Sequence, residues 1–222
     1  MLQLKPMEES FYKISKHLTR EIISNILICE GKRDSEIIKG VIHKISKETK
    51  RNLAITDCGG ERVIPEITKY IITLGLVSKR LKTFSIIIDA DEYTPKDRAM
   101  SIANSLRSRT RWNIKMFQVD ADIFKLEIQD LKTQVFVKVA GNNLWYAKHT
   151  IDDYIVCLLM FEGEISEEKA KEYKSAKECV NEFIEAKNIT VRDIIENARE
   201  ENVQRAFKNI INYLSIIGVW ER

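Results

Sequence analysis

The 222-residue sequence predicts an α/β protein: a mostly parallel sheet flanked by helices, followed by a helical C-terminal portion. Three observations carry that expectation. Short apolar runs recur at 25–29, 52–56 and 83–89, and each closes on an acid or on a turn containing acid and glycine. Helically spaced apolar residues follow the runs, so strand and helix alternate. Beyond His149 the strand signals stop and apolar residues recur only at helical intervals.

Taken in order, Phe11, Ile14, Leu18 and Ile22 predict a leading amphipathic helix over 9–24. Asn25 to Cys29 is apolar after its first residue and is closed by Glu30-Gly31, as suits a buried strand. Ile37, Ile38, Val41, Ile42 and Ile45 then mark a helix. Asn52 to Thr56 reads as a second strand, ended by Asp57-Cys58-Gly59-Gly60, with a helix over Val63 to Leu76. Thr83 to Asp89 is the strongest strand signal, because Phe84, Ile86, Ile87 and Ile88 are nearly continuous. A turn at Thr94-Pro95 leads to a helix over Ala99 to Leu106 and a fourth strand over Ile114 to Val119. The region from Phe124 to Val139 breaks the rhythm, and alternation at Val135, Val137 and Val139 predicts a further, edge strand. Helices are expected over 150–162, 166–187, 190–200 and 203–217. The rhythm implies right-handed crossovers. It divides the chain into an α/β domain over 1–145 and a helical extension over 146–222.

Composition narrows the class. Hydrophobic residues make up 44% and charged residues 31%, with 8 Gly and 3 Pro, so no stretch is biased toward a disordered linker. The net charge of +3 permits nucleic-acid contact without arguing for it. Cys29, Cys58, Cys157 and Cys179 form no C-x-x-C pair and have no clustered histidines, which argues against zinc and for reduced cytoplasmic thiols. The absence of a signal-like start or long apolar run predicts no membrane association.

Ligands of open parallel sheets bind beyond the carboxyl ends of the strands. There the first three predicted strands end in Glu30, in Asp57, and in Asp89 with Asp91. Residues two apart in extended chain point the same way, which directs Asp89 and Asp91 to one cavity and Ala90 to the sheet interior. Gathered carboxylates repel and resist desolvation. A hard cation, Mg²⁺ or Mn²⁺, relieves both, because it takes one or two carboxylates and completes its shell with water and substrate phosphate. Gly31 permits a sharp turn, and Asp34 falls in the first helical turn, where the helix dipole favours it. Singly, Asp34 fits a helix N-terminal acid and Asp57 a loop residue. Together the acids predict a metal or phosphate site.

Ile26-Leu27-Ile28-Cys29-Glu30-Gly31-Lys32-Arg33-Asp34 resembles the first Toprim motif, and Ile86-Ile87-Ile88-Asp89-Ala90-Asp91 resembles its Asp-x-Asp motif. The resemblance covers about 24–120 and lies nearest to small stand-alone, archaeal-like Toprim proteins with helical C-terminal extensions. It implies a Rossmann-like core and phosphodiester chemistry on DNA or RNA, with roles in repair or replication. By that resemblance Glu30 is a general acid or base, Asp89 and Asp91 bind Mg²⁺ with Glu30 beside them, and Asp34 joins a second metal in nuclease-like members. Asp57, Glu92, Asp152 and Asp153 are possible additional site residues, the last two equally suited to capping a helix.

Lys32, Arg33, Lys96 and Arg98 flank the motifs and are candidates for phosphate contact. Arg107, Arg109 and Arg111 fit a solvated helix end as well as they fit phosphate. Trp112 and Trp145 suit packing or base stacking, and His149 suits a structural role or a base.

Two readings stay open: a metal-dependent nuclease-like enzyme, and a non-catalytic nucleic-acid-binding platform like RecR. Other Asp-x-Asp enzymes fit less well. A haloacid-dehalogenase-type phosphatase carries the pair on its first strand, and a nucleotide-sugar transferase does not require Glu30-Gly31. No topoisomerase cleavage domain, zinc module, primase body or Walker A loop accompanies the motifs. The apolar C-terminal positions, among them Ile194, Ile195, Phe207, Ile210 and Leu214, would pack on the core or in a homodimer.

Overall fold

The computed structural model describes residues 2–3, 25–45, 53–78, 81–129, 131–141 and 144–219, and the expected helix over 9–24 lies outside them. The strands are β1 (Leu2–Gln3), β2 (Asn25–Cys29), β3 (Leu53–Asp57), β4 (Thr83–Asp89), β5 (Ile114–Asp120), β6 (Ile123–Ile128) and β7 (Gln134–Ala140). They form one sheet in the order β1-β3-β2-β4-β7-β6-β5. Pairing is parallel from β1 through β7, and β6 runs antiparallel to both β7 and β5. The protein is therefore α/β, with a mostly parallel sheet compatible with a Rossmann-like core.

Helices cover both faces, which is why the central strands are apolar on both sides. On one face lie α2 (Ile64–Ser78), entered through a 3₁₀ turn at Glu61–Val63, and α3 (Pro95–Thr110). Their Ile64, Ala99, Ile102 and Leu106 pack with Ile28, Ile86 and Val137 of the sheet. The other face receives α1 (Lys32–Ile45) and the whole C-terminal array. That array comprises α4 (Asp152–Glu162), α5 (Glu167–Lys171), α6 (Ala176–Lys187), α7 (Val191–Asn197), α8 (Glu200–Ala206) and α9 (Lys208–Ile216). Leu27, Ile87 and Phe136 share one cluster with Ile38, Leu158, Ile195 and Phe207. The C-terminal helices thus complete the sheet's own core. No helix among the described residues is long and apolar enough to cross a membrane.

Three expectations need correction. The strand at 134–140 is interior, between β4 and β6, and the edge on that side is β5. Lys138 disguised it: a lysine amid valines reads as solvent-facing, yet its side chain is wholly buried against Asp122. The expected helix over 166–187 is two, because the Ser175 side chain accepts the Glu178 N–H and caps a fresh start at α6. The expected helix over 203–217 likewise breaks at Phe207, whose buried ring stacks on Tyr154 with centroids 5.6 Å apart.

Candidate functional site

β2 and β4 are neighbours, so both acidic motifs emerge side by side at their carboxyl ends. The Glu30 N–H continues the ladder by donating to the Ile87 carbonyl at 3.1 Å. At the start of α1, the Asp34 carboxylate accepts the Gly31 N–H at 2.8 Å, which folds its charge back toward Glu30. Asp89 ends β4, and Asp91 then turns out of the strand with a left-handed φ of 54°. Extended geometry does not reach Asp91, yet both aspartates line one cleft while Ala90 is buried beneath them.

The C-terminal segment is fastened onto this motif. Asp91 and His149 exchange two backbone hydrogen bonds of 2.9 Å, and the Ile151 N–H donates to Asp89 Oδ1 at 2.8 Å. The approach is close: a Cβ on Gly141 (φ +143°) would stand 2.7 Å from the His149 Cβ, so a side chain there has no room. These ties set Thr150 and Asp152 on the wall of a cleft of about 630 Å³. Its lining includes Glu30, Asp34, Asp89, Asp91 and Asp152, with Gly59 and Gly60 from the β3 turn. Lys32, Lys148 and Lys177 complete the wall.

Two arginines bond into this acidic wall. Arg98 is 4% exposed; its Nε donates to the Asp89 carbonyl at 2.8 Å and its Nη2 to Asp91 Oδ2 at 3.0 Å, with Glu30 Oε2 3.7 Å away. Arg33 Nε stands 2.8 Å from Asp152. Burial, opposed by the Gly31 N–H and reinforced by Glu30 and Asp152, pushes Asp34 up to about 6. Burial and then the Asp34 charge hold Asp89 well above the usual carboxylate range, although the Ile151 N–H offsets part of this. Burial also raises Asp152, against the pull of Arg33 and Lys177.

Carboxylate oxygens are hard donors of the kind that Mg²⁺ or Mn²⁺ takes, and burial is the main cause of the raised proton affinity of Asp34, Asp89 and Asp152. Among the described residues no group of three or more His, Cys, Asp or Glu is arranged to hold a metal alone.

The sign of the pH effect follows. With its folded pKa above the ordinary value of 3.8, Asp34 contributes stability that is full below that value and lost as pH rises through about 6. Asp34→Asn keeps an oxygen for the Gly31 N–H but carries no charge. Its melting temperature relative to wild type is expected to rise between pH 5 and pH 7, the endpoints that bracket about 6 in metal-free thermal scans. A difference that shrank over that range would contradict the crowded-acid account.

The remaining candidates separate. Asp57 ends β3 outside the cleft lining. Asp152 lines the cleft, whereas Asp153 is fully buried and bonds His149 Nδ1 at 3.0 Å. Neither caps α4 in the expected way, because the N-cap is Ile151. Glu92 pairs with Lys148 at 3.2 Å. Lys32 faces the cleft, Arg33 and Arg98 are committed to carboxylates, and Lys96 is exposed away from the lining. Arg109 pairs with Glu66, and Trp112 packs against the core cluster beneath α3. Lys148, Thr150, Ser175 and Lys177 were not anticipated, because no local pattern signals which loop a distant strand end will bind.

A family model described as Protein of unknown function (DUF3226) matches residues 24–188, and the chain belongs to that family. The match runs from before β2 to just past α6, so it takes in every residue of the cleft. No curated protein matches the chain, and no solved structure does.

Proposed function

We propose that this member of the DUF3226 family is a metal-dependent phosphodiester enzyme of Toprim type, cleaving nucleic acid in a nuclease-like reaction at the acidic cleft. The observation that supports it is convergence: Glu30 with Asp34, Asp89 and Asp152 come from three separate stretches of chain and share one wall. The strands that carry Glu30-Gly31 and Asp89-Ala90-Asp91 are neighbours in the sheet, which brings the two Toprim-like motifs side by side.

In this reading Asp89 and Asp91 would hold Mg²⁺ or Mn²⁺ with Glu30 beside them, and the bound ion would supply Lewis-acid polarisation of a phosphoryl oxygen. Glu30 moves a proton at the attacking or leaving oxygen. Its Oε2 is oriented by the Asp89 N–H at 3.4 Å and the Arg98 guanidinium at 3.7 Å. Arg98 steadies Asp91, and Lys32, Lys148 and Lys177 take the flanking phosphates.

One observation favours a second reading, a non-catalytic RecR-like platform: Arg98 already gives Asp91 and Glu30 a fixed cation. Glu30→Gln separates the two in a panel of single- and double-stranded DNA and RNA with Mg²⁺ or Mn²⁺. The enzyme reading expects cleavage to fall by about 10²–10⁴-fold with binding retained. Wild type that binds the nucleic acids but cleaves none of them would establish the platform. Wild type that takes up no divalent cation at millimolar concentration would overturn the catalytic reading.

A further inference from the structure

A second cleft opens beside the acidic one, and Asp91 and Lys148 line both. It encloses about 470 Å³, walled in addition by Glu92, Tyr93, Asp97, Arg98 and Ser101. Its charges are answered from within or nearby. Lys148 pairs with Glu92 at 3.2 Å, Arg98 with Asp91 at 3.0 Å, and Asp97 accepts the Thr94 hydroxyl at 2.6 Å. It therefore has no surplus of cations to draw a phosphate.

What it offers is a ring. Tyr93 is 60% exposed, more than any other large hydrophobic side chain among the described residues. Its position is fixed through the acidic motif. The Tyr93 N–H donates to the Ala90 carbonyl at 3.1 Å, and the Arg98 guanidinium lies 5.9 Å from the ring centroid. Arg98 in turn is anchored on the Asp89 carbonyl and the Asp91 carboxylate. An exposed aromatic held one turn beyond Asp-x-Asp, in a pocket with no surplus of cations, suits an uncharged flat group that enters together with a phosphate.

We propose that Tyr93 is a stacking platform for one unpaired base of a single-stranded nucleic acid whose adjoining phosphate lies in the acidic cleft. The inference rests on the nucleic-acid reading above and adds the substrate class. Every base has a π face, so such a platform tolerates sequence, and the cationic partner at the ring strengthens a stack. In a duplex both faces of a base are already stacked and out of reach of the ring.

The test measures binding by fluorescence anisotropy with the full chain in a Glu30→Gln background under millimolar Mg²⁺, which separates binding from turnover. The probes are short labelled oligo-dT, oligo-rU, an abasic sugar–phosphate oligomer of equal length, and a duplex. Oligo-dT or oligo-rU is expected to bind about tenfold tighter than the abasic strand, and also tighter than the duplex. Tyr93→Ala is expected to erase the preference for bases, and Tyr93→Phe to keep it. Equal binding of base-containing and abasic strands, or a preference that survives Tyr93→Ala, would overturn the platform and leave the nucleic-acid reading standing. Failure to bind any oligomer would overturn both.

Discussion

Asp89→Asn is expected to stabilise the metal-free protein and, on the proposed reading, to cut metal-dependent cleavage sharply. Asp89 is surrounded by the carboxylates of Asp34, Glu30 and Asp152, and burial already favours its neutral form. Asparagine is a permanently neutral near-isostere. Its carbonyl oxygen still accepts the Ile151 N–H, and its amide can donate to the neighbouring acids. Relief of desolvation and like-charge repulsion should raise stability by about 1 kcal/mol, within the range of single stabilising changes. In a chain of this size that is roughly 2–4 °C in thermal midpoint. Cleavage should fall by on the order of a hundredfold or more, as removal of several kcal/mol of metal-borne stabilisation requires.

Opposite movement of the two quantities is the diagnostic. A carboxylate kept for the fold loses stability when it is neutralised; one kept for a cation gains it, because the fold carries the charge at its own expense. A lower midpoint for Asp89→Asn would make the residue an anchor for the Ile151 segment, and the metal reading would lose its chief ligand.

How much of this was legible in sequence depended on whether a signal was local. β2 and β4 were readable because a strand covered on both faces is continuously apolar, and Glu30 and Asp89 were readable as the first charges after those runs. Helix breaks at Ser175 and Phe207 were harder, because a cap or a buried ring interrupts a helix without interrupting its apolar spacing. The lysines of the C-terminal segment were not legible at all. Lys148 owes its place to the backbone bonds between Asp91 and His149 and to the Ile151 N–H on the Asp89 carboxylate, which join residues about 60 positions apart. Lys138 misled for a related reason: its meaning depends on Asp122, which sits across a strand pair.

That pair carries the largest stability effect expected. Lys138 lies wholly buried on the face of β7 that the C-terminal helices cover, and its ammonium meets Asp122 in the turn between β5 and β6. Burial lowers its pKa, and Asp122 and then Asp120 pull the other way. Asp122→Asn removes the principal counter-charge and leaves a desolvated ammonium, a change that costs about 3–5 kcal/mol in comparable buried pairs. The thermal midpoint should fall by roughly 10 °C. Adding Lys138→Met should recover most of the loss, because the double variant buries no charge; the cycle of single and double variants isolates the coupling.

The pH dependence gives an independent check. A lysine whose folded pKa lies below its unfolded value destabilises while it is charged, and stability returns as pH rises through the folded pKa. Asp122→Asn should therefore regain stability relative to wild type as pH climbs toward about 10. A cost under about 1 kcal/mol, as for an exposed pair, would mean that water reaches the ammonium. The pairing also bears on register. Lys138 stands opposite Ile123, and the Val139 N–H donates to the Asp122 carbonyl at 2.9 Å. A one-residue slip of β6 on β7 would carry Asp122 out of register and leave the ammonium buried without its partner. An interior strand with valines on one face therefore specifies its alignment through the one charge on the other.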